Sequence, residues 1–391
     1  MFAIVRRHPA NIAWIALNVA LLIVVAGLLV AGSRVSVTGY YSEAAWNWMA
    51  GQSMYDTTGT GFLYLPHSAI AYIPFAVQAH PQGDVAWRII SLILFVLGCY
   101  RFFRLSPQKS EFFNLSAGFV ALLLCADCMR NGQATVIMTA TMLLAIDAIR
   151  RENWHLCTWL LMLGFAVKPL SIVLILLVGA LYAPMRWRLG VGIIVLALVP
   201  FAFQSPDYVW QQYEEFGLCL FHSNRIGYEK WWAQLFGMLK AFGLEVPDSI
   251  QTASRLLCAV GTLAICFVLK QKLDSKRFLV WLYTLTAIYL MLFNPRTENC
   301  TYCVLGPALG LFYAEALCGR RWFAAGSMMA LAVVILGSFE LGQHITPQGV
   351  PPVWLAPLAC CFFTLYAAFR LTSELNRLEP PPSREAQPVL E

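Results

Sequence analysis

The sequence predicts an all-α protein that crosses a membrane many times and forms one helical bundle. Of its 391 residues, 59% are hydrophobic and only 12% are charged, whereas about a quarter of the residues of a soluble protein are charged. Its apolar runs approach the ~20 residues that an α-helix needs to cross the hydrocarbon core. They lack the alternation of apolar and polar residues that is typical of membrane β-barrel strands. These observations predict a polytopic protein with about 11–13 transmembrane or re-entrant helices.

Thirteen apolar stretches are candidates for these helices, and several are shorter than a full crossing requires. They are residues 11–32, 62–79, 86–104, 114–129, 134–149, 155–168, 170–185, 189–203, 254–270, 278–293, 300–317, 322–340 and 353–371. The stretch 62–79 contains Pro66 and Pro74, which favour a broken or re-entrant hairpin. The alternative is that one later short stretch does not cross.

Positive charge orients the helices, because loops rich in Lys and Arg stay on the cytoplasmic side. Arg6 and Arg7 precede the first stretch, and basic residues recur in every second loop from residue 101 onward. This alternation predicts a multi-pass protein of the inner (cytoplasmic) membrane with both termini in the cytoplasm. It places the loops 33–61 and 204–253 on the outer face, the second of them as one or two helices at the membrane surface.

The chain is predicted to be a single domain with a short tail. Residues 1–371 form the transmembrane domain, and the Pro-rich segment 372–391 is expected to be a disordered cytoplasmic tail. The net charge of +6 is spread over the cytoplasmic loops, so no nucleic-acid partner is predicted. The oligomeric state is left open.

The cysteines predict neither a metal centre nor a redox cofactor. Cys125 and Cys128 have the C-x-x-C spacing, as do Cys300 and Cys303. Each pair lies inside or beside an apolar stretch, where cysteine acts as a small hydrophobic residue.

The stretch from Gly39 to Pro66 is the part around which the rest of the chain is organised. Its first half reads as a short helix rich in Tyr and Trp, which is typical of an element at the lipid headgroups. Glu43 lies in the middle of this helix, beside aromatic residues suited to stacking on sugar rings. We therefore predict Glu43 as a catalytic carboxylate.

Three polar segments, far apart in the sequence, fall on the same predicted face as Glu43. They are Arg130-Asn131-Gly132-Gln133, Lys168-Pro169 and Asn294-Pro295-Arg296-Thr297-Glu298-Asn299. Charges at the membrane edge are costly and therefore indicate function. Each also has a structural interpretation: Arg130 as a helix cap paired with Asp127, Lys168 as a cap at a hairpin corner, and Arg296 with Glu298 as an ion pair.

Soluble nucleotide-sugar chemistry is not supported. The sequence contains no G-x-G-x-x-G unit, no Walker motif and no Asp-x-Asp pair to hold a metal-bound sugar nucleotide.

The order of these motifs resembles glycosyltransferase family 87, whose members are membrane transferases of the GT-C class related to polyprenol-phosphate-mannose mannosyltransferases. The matching elements are Tyr40-Tyr41, Ala44-Ala45, Gly51, Tyr55, Phe62, Tyr64, Pro66, Asn131-Gly132-Gln133, Lys168-Pro169 and Asn294–Asn299. The resemblance spans roughly residues 36–310, most of the chain. The family usually has an aspartate, its catalytic base, shortly before the Tyr-Tyr pair. This chain has Ser36-Val37-Thr38-Gly39 there.

The resemblance implies a hexosyltransferase with a GT-C-like fold. A hexose, with mannose as one candidate, would pass from a polyprenyl-phosphate donor to a lipid-linked or glycan acceptor on the outer face. We expect Glu43 as the base with Glu298 in support, and Arg296, Lys168 and Arg130 around the donor phosphate. The expected substrate-binding residues are Tyr40, Tyr41, Tyr64, Asn131, Gln133, Asn294 and Asn299.

Other carboxylates and other functions remain open. Exchanged roles for Glu43 and Glu298 are the main alternative, and Asp56 and the loop acids Glu214, Glu215 and Glu229 are further candidates for the base. The alternative functions are a polysaccharide polymerase or ligase, a lipid or glycan transporter, and an inactive partner-binding homologue. A transporter would place its site at the midplane between repeats, and no internal repeat is visible.

Overall fold

A computed structural model describes residues 36–56, 61–108, 110–223, 232–347 and 350–378. Over these ranges the regular structure is helical throughout, which confirms the all-α prediction. The first candidate span, 11–32, lies outside the described residues. The sixteen α-helices of these ranges are α1 Thr38–Ala50, α2 Pro66–Ala76, α3 Gln82–Phe103, α4 Glu111–Asn131, α5 Thr135–Arg150, α6 Trp154–Val167, α7 Ile172–Leu181, α8 Ala183–Leu198, α9 Pro206–Ser223, α10 Leu235–Ala241, α11 Asp248–Lys272, α12 Ser275–Phe293, α13 Gly306–Cys318, α14 Trp322–Leu336, α15 Ser338–Ile345 and α16 Leu355–Asn376.

Six helical segments of this described part are long and apolar enough to cross a membrane. They are Gln82–Phe103, Glu111–Asn131, Ala183–Ala202, Asp248–Lys272, Ser275–Phe293 and Pro352–Asn376. The pair α14 and α15 would add a seventh, although its two helices meet at an angle of 74°. These helices confirm that the protein is a multi-pass membrane protein.

Several predicted boundaries need correction. The helix in the stretch 62–79 is α2, whose 11 residues are too few for a crossing. The stretch 300–317 is divided into a 3₁₀ turn, Asn299–Val304, and α13, and the stretch 322–340 bends at Gly337. The last helix continues to Asn376, into the predicted tail, where Glu374 pairs with Arg277 and Arg370. Residues 379–391 lie outside the described part.

The core lies around α5, in which every residue except Leu144 and Arg150 is buried. By contrast, α11 buries only Cys266 and Leu269, so its apolar surface is left for lipid. Helices α4 and α13 approach closely at Gly310, where a Cβ would lie 2.3 Å from the carbonyl oxygen of Ala117. The bundle therefore has a tightly packed centre and a lipid-facing edge.

An aromatic cluster joins α1 to the end of the bundle that holds the α4–α5 turn. The ring of Tyr41 makes edge contacts with the rings of Tyr64, Tyr72 and Trp87, at centroid distances of 5.4, 5.5 and 6.1 Å. Edge-to-face pairs of this kind add about 0.5–1.5 kcal/mol each beyond the area they bury. The cluster fixes Tyr41 and Tyr64 beside the turn.

The α4–α5 turn is held by a buried arginine. Arg88, only 1% exposed, donates to the carbonyl oxygens of Met129 and Arg130, both at 2.9 Å. The Trp87 indole donates to the Gly132 carbonyl, also at 2.9 Å. Gly132 has φ +69°, and a Cβ there would lie 2.5 Å from the Thr38 side chain. These contacts satisfy carbonyls that a helix end leaves open and direct Gln133 inward.

Candidate active site

Gln133 is the centre of a polar network in which four segments of the chain meet. Its side chain is 3% exposed. Its Nε2 donates to Glu298 Oε2 at 2.9 Å, while its Oε1 accepts from the Tyr64 hydroxyl at 3.3 Å and from Lys168 Nζ at 3.5 Å. The amide therefore links a carboxylate on one side to an ammonium on the other. In this orientation the amide NH₂ donates to the Glu298 carboxylate and the amide oxygen accepts from the Lys168 ammonium.

Lys168 lies at the break between α6 and the 3₁₀ turn Pro169–Ser171, because Pro169 cannot continue the helix. The residue is 9% exposed. Its Nζ donates to Thr135 Oγ1 at 2.6 Å and lies 5.7 Å from the centroid of the Tyr64 ring. Burial is the largest single influence on its pKa and lowers it, but the charge of Glu298 together with the nearby Tyr41, Cys300 and Cys128 groups makes the net shift upward. Lys168 is thus a fixed positive charge.

Glu298 is the N-cap of the 3₁₀ turn Asn299–Val304. Its carboxylate accepts from the backbone N–H of Thr301, and the Thr301 hydroxyl accepts from the backbone N–H of Glu298 at 3.3 Å, which forms a capping box. Oε2 also accepts from Cys300 Sγ at 3.2 Å. The side chain is half-buried, and its hydrogen bonds to Gln133, Cys300 and Thr301 fix its orientation.

Two tyrosines extend the network toward α1. The Tyr41 hydroxyl accepts from the backbone N–H of Ala134 at 3.3 Å and donates to the Tyr64 hydroxyl at 3.2 Å. Burial raises the pKa of both Tyr41 and Tyr64. Both therefore keep their protons and act as hydrogen-bond donors at neutral pH.

A cavity of about 370 Å³ opens beside Lys168, and we call it the basic cavity. Its charged residues are the cations Lys168, Arg255 and Arg296 and one carboxylate, Glu298. The rest of the wall is largely apolar or aromatic: Leu63, Tyr64, Pro169, Leu170, Ile172, Val173, Phe216, Leu220, Trp232, Tyr289, Leu290, Phe293, Asn294 and Pro295. The cavity therefore combines a positive end with an apolar surface.

A second cavity of about 230 Å³ lies on the other side of Glu298, and we call it the acidic cavity. Its charged residues are Asp127, Glu298, Glu340 and Arg130. Arg130 Nη2 is paired with Asp127 at 2.7 Å, which confirms the predicted pair. The remaining wall consists of Leu124, Asn131, Asn299, Cys300, Ile335, Leu336, Phe339 and Val353.

The two cavities divide the predicted phosphate ligands. Lys168 and Arg296 share the basic cavity, as the sequence led us to expect, and Arg296 also donates to the Leu220 carbonyl at 3.3 Å. Arg130 faces the acidic cavity with Asp127. Arg130 therefore lies in a different cavity from the other two predicted phosphate ligands.

The predicted substrate-binding residues are similarly divided. Tyr64 and Asn294 line the basic cavity, Asn131 and Asn299 line the acidic cavity, and Gln133 lies in the network that joins Lys168 to Glu298. Tyr40 is 50% exposed and lies outside both cavities.

Glu43 is on the exposed face of α1. The helix buries Tyr41, Ala44, Ala45 and Trp48, the i, i+3, i+4, i+7 set that faces the bundle, so Glu43 points away from the network. Among the other acids, Glu214 and Glu215 accept from Trp210 and Ser53 at exposed positions, and Glu229 lies outside the described part. The structure therefore brings Glu298, and not Glu43, to Lys168.

Two participants were not predicted from the sequence. Arg255 lines the basic cavity, and its guanidinium lies 5.1 Å from the centroid of the Phe236 ring, which is outside that cavity. It occurs at the start of the apolar stretch 254–270, so the rule that points to membrane-edge charges also applies to it. Thr135 accepts the shortest hydrogen bond from Lys168. Its role could not be predicted from the sequence, because an uncharged threonine at the start of an apolar helix is common.

A family model for glycosyltransferase family 87 matches residues 62–295, more than half of the chain. The chain belongs to this family. The match includes Tyr64, Gln133 and Lys168 and ends just before Arg296 and Glu298. The protein is therefore a membrane glycosyltransferase, and the resemblance seen in the sequence is confirmed.

No curated protein matches the chain in sequence. A solved structure with some similarity is ArnT from Cupriavidus metallidurans bound to undecaprenyl phosphate, at 14% identity and a TM-score of 0.44. The alignment covers 89% of this chain and 75% of the ArnT chain.

Proposed function

We propose that the protein transfers a hexose from a polyprenyl-phosphate donor to a lipid-linked or glycan acceptor at the outer face of the cytoplasmic membrane. The observation that carries the proposal is the single carboxylate, Glu298, placed beside a cavity with three cations and an apolar wall. Family membership supplies the reaction class, glycosyl transfer.

The basic cavity suits a lipid phosphate. Arg296 and Arg255 offer planar guanidinium groups that can bind phosphate oxygens in pairs, and Lys168 offers a point charge. The apolar wall beside them, including Leu170, Val173 and Phe293, suits the first isoprene units of the lipid.

The chemistry follows from this placement. Glu298 takes the proton of an acceptor hydroxyl as that oxygen forms a bond to the anomeric carbon of the sugar. The bond from the anomeric carbon to the phosphate oxygen breaks, and the polyprenyl phosphate leaves with the electron pair. Its developing negative charge is stabilised by Lys168 and Arg296, which are already in position.

Glu298 takes the role that the sequence assigned first to Glu43. A base must reach the proton it removes, within about 2.6–3.2 Å or through one water. Glu298 borders both cavities, whereas the Glu43 side chain is exposed on the far face of α1. We accordingly exchange their roles and keep mannose as one candidate hexose.

The proposal is tested with purified protein in lipid nanodiscs, incubated with a panel of polyprenyl-phosphate hexoses and octyl hexoside acceptors. Mass spectrometry is expected to detect a new glycosidic product and free polyprenyl phosphate in equal amounts, and Glu298→Gln is expected to abolish both. If every donor stays intact, or is only moved across the bilayer, the proposed transfer is wrong.

A further inference from the structure

The acidic cavity differs from the basic cavity in the charge of its lining residues and in the helices that enclose it. Both share Glu298, but the acidic cavity lies between α4 and the bend that joins α14 to α15. Helix α15 covers it by packing on the turn Pro352–Trp354, where a Cβ on Gly342 would lie 2.0 Å from the Pro352 carbonyl oxygen. This close approach requires glycine and keeps the cover in place.

The charges of this cavity are predominantly negative. Asp127 is neutralised by its pair with Arg130. Glu298 and Glu340 remain, and Arg130 is the only cation among the residues that line the cavity. A phosphate or carboxylate placed here would meet like charge, which disfavours its binding.

The cavity also contains polar atoms that lack partners. Asn131 Oδ1, both side-chain polar atoms of Asn299, and Arg130 Nε are buried without a hydrogen bond to any described residue. Buried polar groups are nearly always hydrogen-bonded in folded proteins, so each of these indicates an absent partner. The Asn299 amide offers both a donor and an acceptor, and a hydroxyl group is the ligand that can satisfy both.

The size and the remaining wall agree with a sugar. The volume of about 230 Å³ is far more than the ~10–15 Å³ that a single water needs by the same measure. Leu336 and Phe339 form an apolar side of the cavity, and the C–H face of a sugar ring can lie against such a surface.

We propose that the acidic cavity binds the acceptor, as a neutral, hydroxyl-rich sugar group, and that its carboxylates exclude acceptors that carry a negative charge near the reacting hydroxyl. Asn131 and Asn299 bind acceptor hydroxyls, and Glu340 contributes to the exclusion. The inference rests on the proposed function, because it assumes that Glu298 activates an acceptor hydroxyl.

The first test separates the acceptor from the donor. Asn299→Leu, which keeps the approximate size and removes the amide, is expected to raise the KM for a neutral octyl hexoside about tenfold. The donor KM is expected to remain unchanged, and a Tm near that of the wild type in detergent shows that the variant folds. Gln108→Leu, an exposed change at the opposite end of the bundle, is the control.

The second test reverses the charge. For wild-type protein we expect the octyl hexoside to be used at least tenfold better than its 6-phosphate. Glu340→Lys, at an exposed position, is expected to reduce this preference about tenfold, and Glu340→Gln to reduce it less.

The outcomes distinguish the two proposals. If wild-type protein uses no donor, the proposed function itself is wrong. If it uses donor but Asn299→Leu leaves the acceptor KM unchanged, or if the 6-phosphate is used as well as the neutral hexoside, the acceptor assignment alone is overturned.

Discussion

The basic and acidic cavities meet at one carboxylate, Glu298, and differ in the charge of the residues that line them. On one side of Glu298, Lys168, Arg255 and Arg296 face an apolar wall. On the other side, a smaller cavity is lined by carboxylates and by the side-chain amides of Asn131 and Asn299, which have polar atoms without hydrogen bonds to described residues. In the proposed reaction, positive charge is thus available where the phosphate would leave, and negative charge is concentrated where the proton would be removed. The comparison shows that the division of charge, and not the total charge, specifies the site.

The largest effect on activity is expected from substitution of Glu298, the residue that both cavities share. Glu298→Gln keeps the shape of the side chain and removes its basicity, and general base catalysis contributes about 10²–10⁴-fold in rate. We expect kcat to fall by that range while thermal stability in detergent stays near that of the wild type. The matched control is Glu43→Gln, on the exposed face of α1. Full activity of Glu298→Gln together with loss in Glu43→Gln would contradict the exchange of roles.

The next effect concerns the basic cavity alone. Lys168→Met removes the ammonium but preserves the apolar stem, and a charge-assisted hydrogen bond contributes about 1.5–3 kcal/mol. We expect a tenfold or larger loss of kcat/KM for the donor, with the acceptor KM unchanged. Steady-state kinetics with the donor varied checks this. A variant with normal donor use would leave Lys168 as a helix cap.

A stability effect is expected at the turn that positions Gln133. Arg88→Leu leaves the carbonyls of Met129 and Arg130 without their donor, and each unsatisfied buried group costs about 1–3 kcal/mol. We expect a Tm several degrees lower, with Arg88→Lys recovering only part of the loss because one ammonium cannot reach all of these partners. Thermal unfolding followed by circular dichroism measures both. An unchanged Tm for Arg88→Leu would show that the turn is held by other contacts.

The smallest effect is expected from pH. The folded pKa of Lys168 is raised above its ordinary value of 10.5, so the stabilisation from its charge is present below that value and is lost only as pH rises through the folded pKa. Lys168 should therefore cause no loss of donor use between about pH 7 and about pH 9. A pH profile of kcat/KM measures this, and an alkaline decrease in that range that disappears in Lys168→Met would contradict it.

The sequence predicted which polar segments come together in the site better than it predicted how their side chains are divided between the two cavities. Positive-inside sorting placed Lys168, Arg296 and Glu298 at one level of the bundle, and the structure brings them together. Sidedness is a single coordinate along the membrane normal, however. It could not show that Arg130 and Lys168 line different cavities, because that division depends on how helices far apart in the sequence pack together.

The exposed position of Glu43 could have been predicted from the sequence. Tyr41, Ala44, Ala45 and Trp48 have the spacing of a buried helical face, which places Glu43 on another face. The burial of Arg88, by contrast, could not be predicted from the sequence. Its burial depends on carbonyls at the end of a different helix, and no local pattern reveals such a partner.

The most direct test of the division between the cavities is one kinetic comparison of two single variants and their double variant. Lys168→Met is expected to raise the KM for polyprenyl-phosphate hexose alone, and Asn299→Leu to raise the KM for octyl hexoside alone. In the double variant the two changes should add, because the substituted groups contact different substrates. If either single variant raises both constants equally, the two cavities do not bind separate substrates and the account is contradicted.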